Sequence, residues 1–355
     1  MAGNAQAAVE EASRQVQNPQ GIIFFTDYNL IPQVAELLKK KYPDAEIIGT
    51  SGNAYFNTNI SEKITIITSF EAEAKVAGGI IGKLDKCPVE DIGVLERSVK
   101  AVGPGKEDTV TIEFCTSEEE RLVTTMRMVL EKYGIGLCGG TVFGTPNGKP
   151  SLVVYNGKVY ENSCAYMVIK NTAGRARVYA ENIYAKDKEN PHIVTRVDRA
   201  RKALIELDHR PAADVYADEM NLSRSEIVGN VLKNPLGRCV GDQIFISSMH
   251  TLEPNGTLLN YKKLNENDTI YILKLLDYDE VNRETRSRIQ SESKRIDLII
   301  SFNCIYRYML FTQENYFGTL LQNMSTLGPY VGFVAGGEQF NNQHVNQTMV
   351  CAVFE

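Results

Sequence analysis

A glycine-rich turn near the end of the chain contains residue types that could bind a small charged molecule. Residues 332–338 read GFVAGGE, with Gly332, Gly336 and Gly337 followed by the carboxylate of Glu338. Glycine permits positive φ and close approach of the backbone to a ligand, and successive free N–H groups bind carboxylates. Glu338 could meet an ammonium group. The pattern therefore suits an amino acid, and the alternative is a tight turn in which Glu338 accepts backbone N–H groups.

The segment FNCIYR (302–307), which precedes this turn, supplies further polar groups at the end of an apolar stretch. Arg307 could hold a carboxylate through two parallel N–H bonds, or form an ion pair at the surface. Asn303 offers both a donor and an acceptor. Cys304 would need a lowered pKa and a base to act as a nucleophile. No Cys–His partner is readable, for Cys304 or for Cys138, so core packing is favoured over a hydrolase or transferase.

Two more residues are candidates for the same site. Arg238 ends the segment NPLGR, which reads as a simple turn or as the wall of a cleft with a second donor for anions. Phe333 could wall an apolar pocket, although aromatic residues near strand ends more often belong to the core. Each of the four histidines could ligate haem iron, whereas an isolated histidine is usually structural or solvated. They are His192, His209, His250 and His344.

A repeated frame positions these residues. Residues 21–56 read as a strand, GIIFF, then a helix that ends in KKKYPD, then a second strand, AEIIGTSGN. Residues 297–340 repeat this order with DLIISFN, a helix around NYFGTLLQNM, and PYVGFVAGGE. Self-similarity of this kind indicates duplicated units. Since ligands gather where the carboxyl ends of strands meet, the paired turns are the expected site.

The order of predicted elements gives the fold class. We expect an α/β fold of the α+β type with mixed sheets, in two pseudo-repeated domains with blocks αβαββ-αβββ and αβββ-αβαββ. The domains are expected at 1–175 and 190–355, joined by the polar stretch 171–195. Between the repeats, a helix is predicted from a capping box of Ser117 and Glu120.

Composition excludes several classes of protein. The net charge of −6 argues against a nucleic-acid partner, since phosphate binding needs a basic surface. No apolar run approaches the roughly 20 residues of a membrane helix, and no signal peptide opens the chain. The seven cysteines are scattered without a CxxC pair, which favours a reducing cytoplasm. Neither the cysteines nor the histidines have the spacing of a structural metal site.

At this point the chain resembles the FIST family, the F-box and intracellular signal transduction sensory domain, over about 330 residues. In the first half, GIIFF, IIGTSGN and the series GGTVFG, VVYNGKV and AYMVI are similar to the N-terminal FIST domain. In the second half, ALIELDHRPAADVYADEM, NPLGR, NGTLLNYKKLNENDTIYILK, SFNCIYR and GFVAGGE are similar to the C-terminal domain. The order and spacing of these motifs carry the resemblance.

The first-half turn departs from the family pattern. Relatives usually have a Gly-Cys-Ser-Thr-Ala-Gly-Glu type of turn, of which Gly49, Thr50 and Ser51 keep the start. Ala54 and Tyr55 stand where Gly and Glu are expected. The second-half turn keeps both, so the ligand site is expected mainly there. The expected ligand-binding residues are Asn303, Cys304, Arg307, Gly332, Phe333, Gly336, Gly337, Glu338, Arg238, Gly49, Thr50 and Ser51.

The resemblance implies a cytoplasmic, non-catalytic sensory module that binds a small ligand, an amino acid or a related metabolite. It also implies an output module as partner, such as a chemoreceptor or histidine kinase domain, and a homodimer is possible. No cofactor is expected in this interpretation. The alternative that the resemblance offers is a haem-based nitric oxide sensor.

Overall fold

The computed structural model describes residues 4–186, 190–241 and 243–355. Its helices are α1 (Ala5–Ala12), α2 (Ile31–Lys41), α3 (Ile92–Val102), α4 (Glu119–Tyr133), α5 (Ala212–Met220), α6 (Ile227–Asn230), α7 (Tyr278–Glu292), α8 (Ile305–Gln313) and α9 (Phe317–Ser325). The first strands are β1 (Gly21–Thr26), β2 (Glu46–Ser51), β3 (Ala54–Phe56), β4 (Asn59–Ser61), β5 (Ile66–Phe70), β6 (Ala74–Ile81), β7 (Thr109–Cys115), β8 (Gly136–Thr141), β9 (Val153–Tyr155), β10 (Lys158–Tyr160), β11 (Cys164–Asn171), β12 (Ala176–Asn182) and β13 (Tyr184–Lys186). The others are β14 (His192–Asp198), β15 (Ala203–Leu207), β16 (Arg210–Pro211), β17 (Leu236–Val240), β18 (Gln243–Ser247), β19 (Met249–Leu252), β20 (Leu258–Asn260), β21 (Thr269–Leu275), β22 (Leu298–Cys304), β23 (Tyr330–Ala335), β24 (Glu338–Phe340), β25 (Gln343–Val345) and β26 (Thr348–Phe354).

One unit of helix, strand, helix, strand, hairpin and strand occurs three times along the chain. Unit 1 runs from α1 to β5, unit 2 from α3 to β11, and unit 3 from α7 to β26, with two helices, α8 and α9, in its middle. In each unit the first two strands are parallel and the last strand is antiparallel to the first. The three units therefore share one topology.

The hairpins of the three units are exchanged in a circle. Hairpin β3–β4 of unit 1 pairs with β23 of unit 3, and hairpin β24–β25 of unit 3 pairs with β8 of unit 2. Hairpin β9–β10 of unit 2 pairs with β2 of unit 1 and closes the circle. Each sheet is thus completed by backbone groups from another unit, and no sheet is formed by one unit alone.

Two further strands tie the units together. Strand β6, which follows unit 1, pairs with β11 of unit 2, and β12, which follows unit 2, pairs with β26 of unit 3. The resulting strand orders are β10-β9-β2-β1-β5, β25-β24-β8-β7-β11-β6 and β12-β26-β22-β23-β3-β4.

The three sheets face one another and enclose a central core. Their middle strands turn Phe25, Phe114 and Phe302 inward. The ring centroids of Phe25 and Phe114 are 5.4 Å apart and those of Phe114 and Phe302 are 5.9 Å apart, a spacing at which aromatic pairs attract. Helices cover the outer faces: α1 and α2 on the first sheet, α3 and α4 on the second, and α7, α8 and α9 on the third.

A fourth sheet lies between units 2 and 3 in the chain. Its order is β18-β17-β21-β14-β15-β20-β19, with β13 beside β21 and β16 beside β15. Together with α5 and α6 it shares one hydrophobic core with α8 and α9. The fourth sheet is therefore anchored to unit 3, and it stands beside the carboxyl ends of the parallel strands.

The predicted mixed α/β fold with a two-domain arrangement is confirmed. The two copies predicted from the sequence correspond to units 1 and 3. Unit 2 is a third copy, which the sequence analysis did not predict. The polar stretch 171–195 is not the expected linker, because it contains β12 and β13; residues 187–189 lie outside the described residues. The domain bounds 1–175 and 190–355 stay a prediction.

A glycine recurs at the same position of the second strand in every unit. Gly49, Gly139 and Gly332 are paired with Phe24, Glu113 and Ser301 of the neighbouring first strands. A Cβ at Gly332 would overlap the Ser301 carbonyl oxygen and lie 2.6 Å from the hydroxyl oxygen of Tyr55. Close packing explains this glycine.

We predict that Gly332→Ala lowers the free energy of unfolding by about 3 kcal/mol, the upper end of the usual cost of overpacking. The control is Gly318→Ala on α9, where an added Cβ meets no described atom within 4 Å. That change should be neutral or stabilise the helix by up to about 1 kcal/mol. Urea unfolding measures both, and equal effects of the two substitutions would contradict the packing role.

Candidate functional site

Arg307 lies in the protein interior. It stands in the first turn of α8, is fully buried, and forms an ion pair with the buried Glu181 of β12. Glu181 also accepts a hydrogen bond of 3.1 Å from Asn282 Nδ2. The guanidinium carbon lies 4.7 Å from the ring centroid of Phe311. Arg307 thus joins α8 to β12, and its charge is already paired.

Glu338 begins β24 and is also fully buried. Its Oε2 accepts hydrogen bonds from the backbone N–H of Thr348 at 3.3 Å and from the Thr348 hydroxyl at 2.7 Å, while Oε1 has no partner among the described residues. Burial raises the pKa of Glu338 to about 8, against the opposing effect of these hydrogen bonds. The carboxyl is therefore protonated at neutral pH and carries no charge for an ammonium group.

The thiols of Cys304 and Cys138 are buried and stay protonated at neutral pH. Burial raises the pKa of Cys304 far above its usual value, and the nearby Glu338 adds to this effect. Burial does the same to the pKa of Cys138. Since the thiolate is the nucleophile, neither cysteine is suited to covalent catalysis.

Asn303 takes part in a buried cluster of hydroxyl groups. Its Nδ2 donates to the hydroxyl oxygen of Tyr55 at 2.8 Å, and Tyr55 shares a 2.7 Å hydrogen bond with Ser301 Oγ. Because Tyr55 stands on hairpin β3–β4, this cluster holds unit 1 on unit 3. Phe333 packs in the central core at 5.5 Å from the ring of Phe302.

The glycines of the turn make room for two neighbouring side chains, those of His344 on β25 and Phe143 after β8. A Cβ at Gly337 would lie 2.5 Å from Cε1 of His344, and one at Gly336 would lie 3.4 Å from the ring of Phe143. His344 stands on β25 opposite Gln339. The turn therefore seats the imidazole of His344 close to its backbone.

The first-half candidates lie in β2. Gly49 packs against Phe24, and the Thr50 hydroxyl donates to the carbonyl oxygen of Leu152 at 2.8 Å. Ser51 lines a cavity of about 190 Å³ with the carboxylates of Asp27 and Glu62. These residues are separate from the turn of unit 3.

The segment from the glycine of the second strand to the hairpin is one residue longer in unit 3 (Gly332 to Gln339) than in unit 1 (Gly49 to Tyr55). In unit 1, Tyr55 pairs with Gly332, and in unit 3, Gln339 pairs with Gly139, the equivalent glycine. Tyr55 therefore corresponds to Gln339 in the fold, and Ala54 corresponds to Glu338.

A cluster of polar side chains, which we call the polar cleft, lies where the fourth sheet meets the carboxyl ends of the parallel strands. We define it by Glu119 of α4, Thr141 of β8, His344 of β25, and Lys202 and Lys262 next to β15 and β20. Thr141 Oγ1 donates to Glu119 Oε1 at 3.2 Å, and Lys262 Nζ donates to the carbonyl oxygen of His344 at 2.7 Å. The hairpin exchange creates this cleft, because it delivers His344 of unit 3 onto unit 2.

The start of α4 positions Glu119. The capping box predicted at Ser117 and Glu120 is wrong, because α4 begins at Glu119 and no side chain of the described residues caps it. Glu118 precedes it with φ 55°, in the left-handed region. This sharp entry turns the Glu119 carboxylate toward the end of β8, where Thr141 donates to it.

Burial and nearby charges shift the pKa values of three residues of the polar cleft. Burial lowers the pKa of His344 to about 4, with Lys262 and Lys202 adding to the effect and Glu119 opposing it. Burial lowers the pKa of Lys262 to about 8. Burial acts to raise the pKa of Glu119, but His344, its own N–H, Lys202 and Thr141 hold it below its usual value. At neutral pH His344 is therefore a neutral imidazole, Glu119 a carboxylate and Lys262 mainly an ammonium group.

The charged side chains of Glu119 and Lys262 in the polar cleft form no ion pair with the described residues. Among the described residues, neither Glu119 nor Lys262 has an oppositely charged side chain within 4 Å. His344 Nδ1 and Gln339 Oε1 are buried without a partner in the same part of the chain. Buried polar groups normally have partners, so this cleft has the hydrogen-bonding capacity that a polar ligand would use.

Arg238 lies beside the polar cleft. It stands on β17, 3.3 Å from Asp268, with its guanidinium carbon 5.0 Å from the ring centroid of Phe245. Its charge contributes to the lowered pKa of Lys262. Sequence analysis selected Arg238 but missed Glu119, Lys202 and Lys262. Their signal was weak, because lysine and glutamate are common and these three lie far apart in the chain.

The surroundings of the histidines do not fit an axial haem ligand. His192 lies between Asp208 and Glu219, at 2.6 Å from each through its two ring nitrogens. His344 is buried in the polar cleft. A cavity of about 400 Å³ with an apolar floor lies at the other end of the core, and its lining contains no histidine among the described residues. The other histidines are His209, in an exposed turn, and His250, whose ring centroid lies 4.6 Å from that of Tyr261.

Within the part of the chain that the structure describes, no helix has both the length and the hydrophobicity that crossing a membrane requires. Three or more histidine, cysteine, aspartate or glutamate side chains do not converge on a common metal position in the same residues.

Comparison with protein families finds two matches. The FIST N domain model matches residues 20–210, and the FIST C domain model matches residues 212–341. The two matches together span most of the chain. A comparison with curated proteins finds no match. Glu119, Thr141 and Lys202 fall in the first matched region, and Lys262 falls in the second.

The proton on Glu338 predicts a pH dependence of stability. The pKa is about 8 in the folded protein against 4.5 for a free carboxyl, so the folded state binds more protons than the unfolded state between these values. This contribution to stability is complete below pH 4.5 and is lost as pH rises through 8, by up to about 1.4 kcal/mol per pH unit.

We predict that Glu338→Gln, which imitates the protonated carboxyl, loses less stability than the wild type between pH 5.5 and 8.5. Urea unfolding at several pH values measures the slope. The control is Glu36→Gln, an exposed position on α2, which should keep the wild-type slope. If Glu338→Gln also keeps it, the buried carboxyl is not protonated.

Proposed function

This chain belongs to the FIST family, whose domains are associated with sensory signal transduction, and from that membership we propose that it binds a zwitterionic small molecule in the polar cleft. The ligand class is an amino acid or a related metabolite. The module is proposed to act in the cytoplasm, without catalysis, and to pass its signal to an output module such as a chemoreceptor or kinase domain.

The observation that carries this proposal is a carboxylate, Glu119, and an ammonium group, Lys262, that both lie near His344 and have no oppositely charged partner within 4 Å among the described residues. Glu119 is the expected partner of the ligand's ammonium group, and Lys262, with Lys202, is the expected partner of its carboxylate. Charge-assisted hydrogen bonds are about twice as strong as neutral ones. A ligand with both charges satisfies both residues, whereas a simple amine or a simple acid satisfies one.

The candidates Arg307 and Glu338 give this proposal less support than the polar cleft does. Arg307 is paired with Glu181, and Glu338 is held in its neutral form by burial. A ligand there would have to displace a buried ion pair, and breaking such a pair is costly. We therefore propose that the ligand binds in the polar cleft, beside the turn at Gly336 and Gly337, and not at Arg307 and Glu338.

Signal output is proposed to follow from closure of the polar cleft. Its two sides come from unit 2, with Glu119, and from the fourth sheet, with Lys262. A ligand that bridges them favours the closed arrangement by its differential affinity. Homodimer formation remains part of this proposal as a means of passing the change to a partner.

We predict that a zwitterionic amino acid raises the melting temperature, whereas its N-acetyl and decarboxylated derivatives do not. Ligand binding stabilises the folded state by RT ln(1 + [L]/Kd). Thermal-shift measurements on a panel of amino acids identify a ligand, and titration calorimetry gives its Kd. Lys262→Met should weaken binding by about 10- to 100-fold, as for loss of a charged hydrogen bond.

The control is Lys158→Met, at an exposed position of β10 away from the cleft, which should leave the Kd within twofold. Glu119→Gln should reduce the preference for the zwitterion over the acid that lacks the amine. An unchanged Kd in both cleft variants would refute the proposed site. A panel in which no zwitterion raises the melting temperature would refute the ligand class.

A further inference from the structure

One corner of the three-sheet arrangement lacks a strand that the other two possess. Strand β11 of unit 2 is extended by β6, and β26 of unit 3 is extended by β12. The equivalent strand of unit 1, β5, pairs only with β1 and forms the edge of its sheet. Its outer backbone groups are therefore unpaired by any described strand.

The pattern of the other units defines the place of the missing strand. Strand β6 contacts β1 and β2, and β12 contacts β7 and β8, besides the strand with which each one pairs. These are the two parallel strands of a neighbouring unit in each case. By the same relation, a strand on the edge of β5 would lie against β22 and β23 of unit 3.

A cavity occupies this place. It has a volume of about 400 Å³ and is lined by the end of β5, the start of β22 and the end of β26. Its floor is apolar: Phe70 and Phe354 contact each other at 5.1 Å between ring centroids, beside Leu298 and Ile169. It lies at the end of the core opposite the polar cleft, because Phe70 pairs with Gly21, the first residue of β1.

The two strands that fill the equivalent corners show what such an occupant looks like. Strand β6 begins Ala-Lys-Val and strand β12 begins Ala-Arg-Val. In both, the small apolar residues pack toward the central core, as Val76 and Val178 do, and the basic residue points to the other face. Both strands run antiparallel to the strand that they extend.

The rim of the cavity is acidic. Its lining includes Glu71, Glu73, Asp297 and Glu355, and no lysine or arginine among the described residues. Arg295, outside the lining, pairs with Asp297 at 2.5 Å. Glu73 is exposed. The rim is thus complementary to a strand in which basic residues alternate with small apolar residues.

We propose that the edge of β5 is a docking site for an extended segment of a partner protein, which adds antiparallel to β5 with small apolar side chains in the cavity and basic side chains at the rim. Addition of a strand to an exposed sheet edge is an established mode of peptide recognition, and natural proteins otherwise protect such edges. This docking site is independent of the ligand proposed for the polar cleft.

The test uses the full chain and a fluorescein-labelled peptide, Arg-Ala-Arg-Val-Tyr-Ala amide, which copies residues 175–180. Saturable binding by fluorescence anisotropy is expected, with slower hydrogen exchange of the amides of residues 66–70. Two further peptides carry N-methyl groups on alternate residues, one on the odd-numbered residues of the peptide and the other on the even-numbered residues. Only one of the two should lose binding, because alternate N–H groups of a strand face the same neighbour.

The charge of the rim is tested by Glu73→Lys against Glu36→Lys, two exposed positions with the same change in net charge. Glu73→Lys should weaken binding about three- to tenfold at low ionic strength, and Glu36→Lys should leave it unchanged. Circular dichroism confirms that both variants fold.

Three results would overturn the proposal. The first is an absence of saturable binding up to 1 mM peptide, and the second is equal binding of both methylated peptides, which indicates occupation of the cavity without strand addition. The third is a dimer in light scattering that Glu73→Lys dissociates, which assigns this edge to a second copy of the chain.

Discussion

The circular exchange of hairpins is the constraint on which the rest of the structure depends. Hairpin β3–β4 finds its partner in β23, more than 270 residues later in the chain, so the edge of the third sheet is satisfied only after both ends of the chain have come together. Each unit gives one hairpin and receives another, and an unpaired strand edge is unfavourable. The three units therefore stabilise one another, and contacts of such sequence separation favour slow, cooperative folding. The same exchange builds the polar cleft, since His344 reaches unit 2 only as part of a donated hairpin.

Burial decides which polar residues remain available for binding. The Arg307–Glu181 pair is fully enclosed, and the cost of removing two charges from water is offset only by their mutual attraction and by hydrogen bonds such as that from Asn282. Glu338 avoids this cost by keeping its proton. In the polar cleft, Glu119 and Lys262 keep their charge at neutral pH. The backbone of the turn at Gly337 thus packs against His344, and the charged groups of Glu119 and Lys262 lie near this histidine.

Sequence analysis recovered the parallel strands of units 1 and 3 because their apolar runs are continuous, but it predicted one helix where α8 and α9 stand and did not predict the hairpins. Unit 2 was missed for two physical reasons: Glu113 interrupts the apolar run of β7, and the insertion of residues 142–152 separates β8 from its hairpin. The partner of Arg307 was missed because Glu181 is 126 residues away, in a stretch that resembles a linker. Sequence also cannot show which neighbour a glycine accommodates, so Gly332 was assigned to a ligand although the backbone of β22 requires it.

The two proposed sites lie at opposite ends of one pair of strands. A segment added to β5 would lie against β22 and β23, and β23 continues through Gly336 and Gly337 into the hairpin that bears His344. Three exchanged hairpins lie at the carboxyl ends of the parallel strands. At the other end only two added strands are present, β6 and β12. The edge of β5 therefore has no added strand, and the arrangement departs from threefold symmetry there. Coupling between the sites requires that β23 has two arrangements, each favoured by one occupant. The close packing of Gly332 against Ser301 limits such a change to a movement of β22 and β23 together.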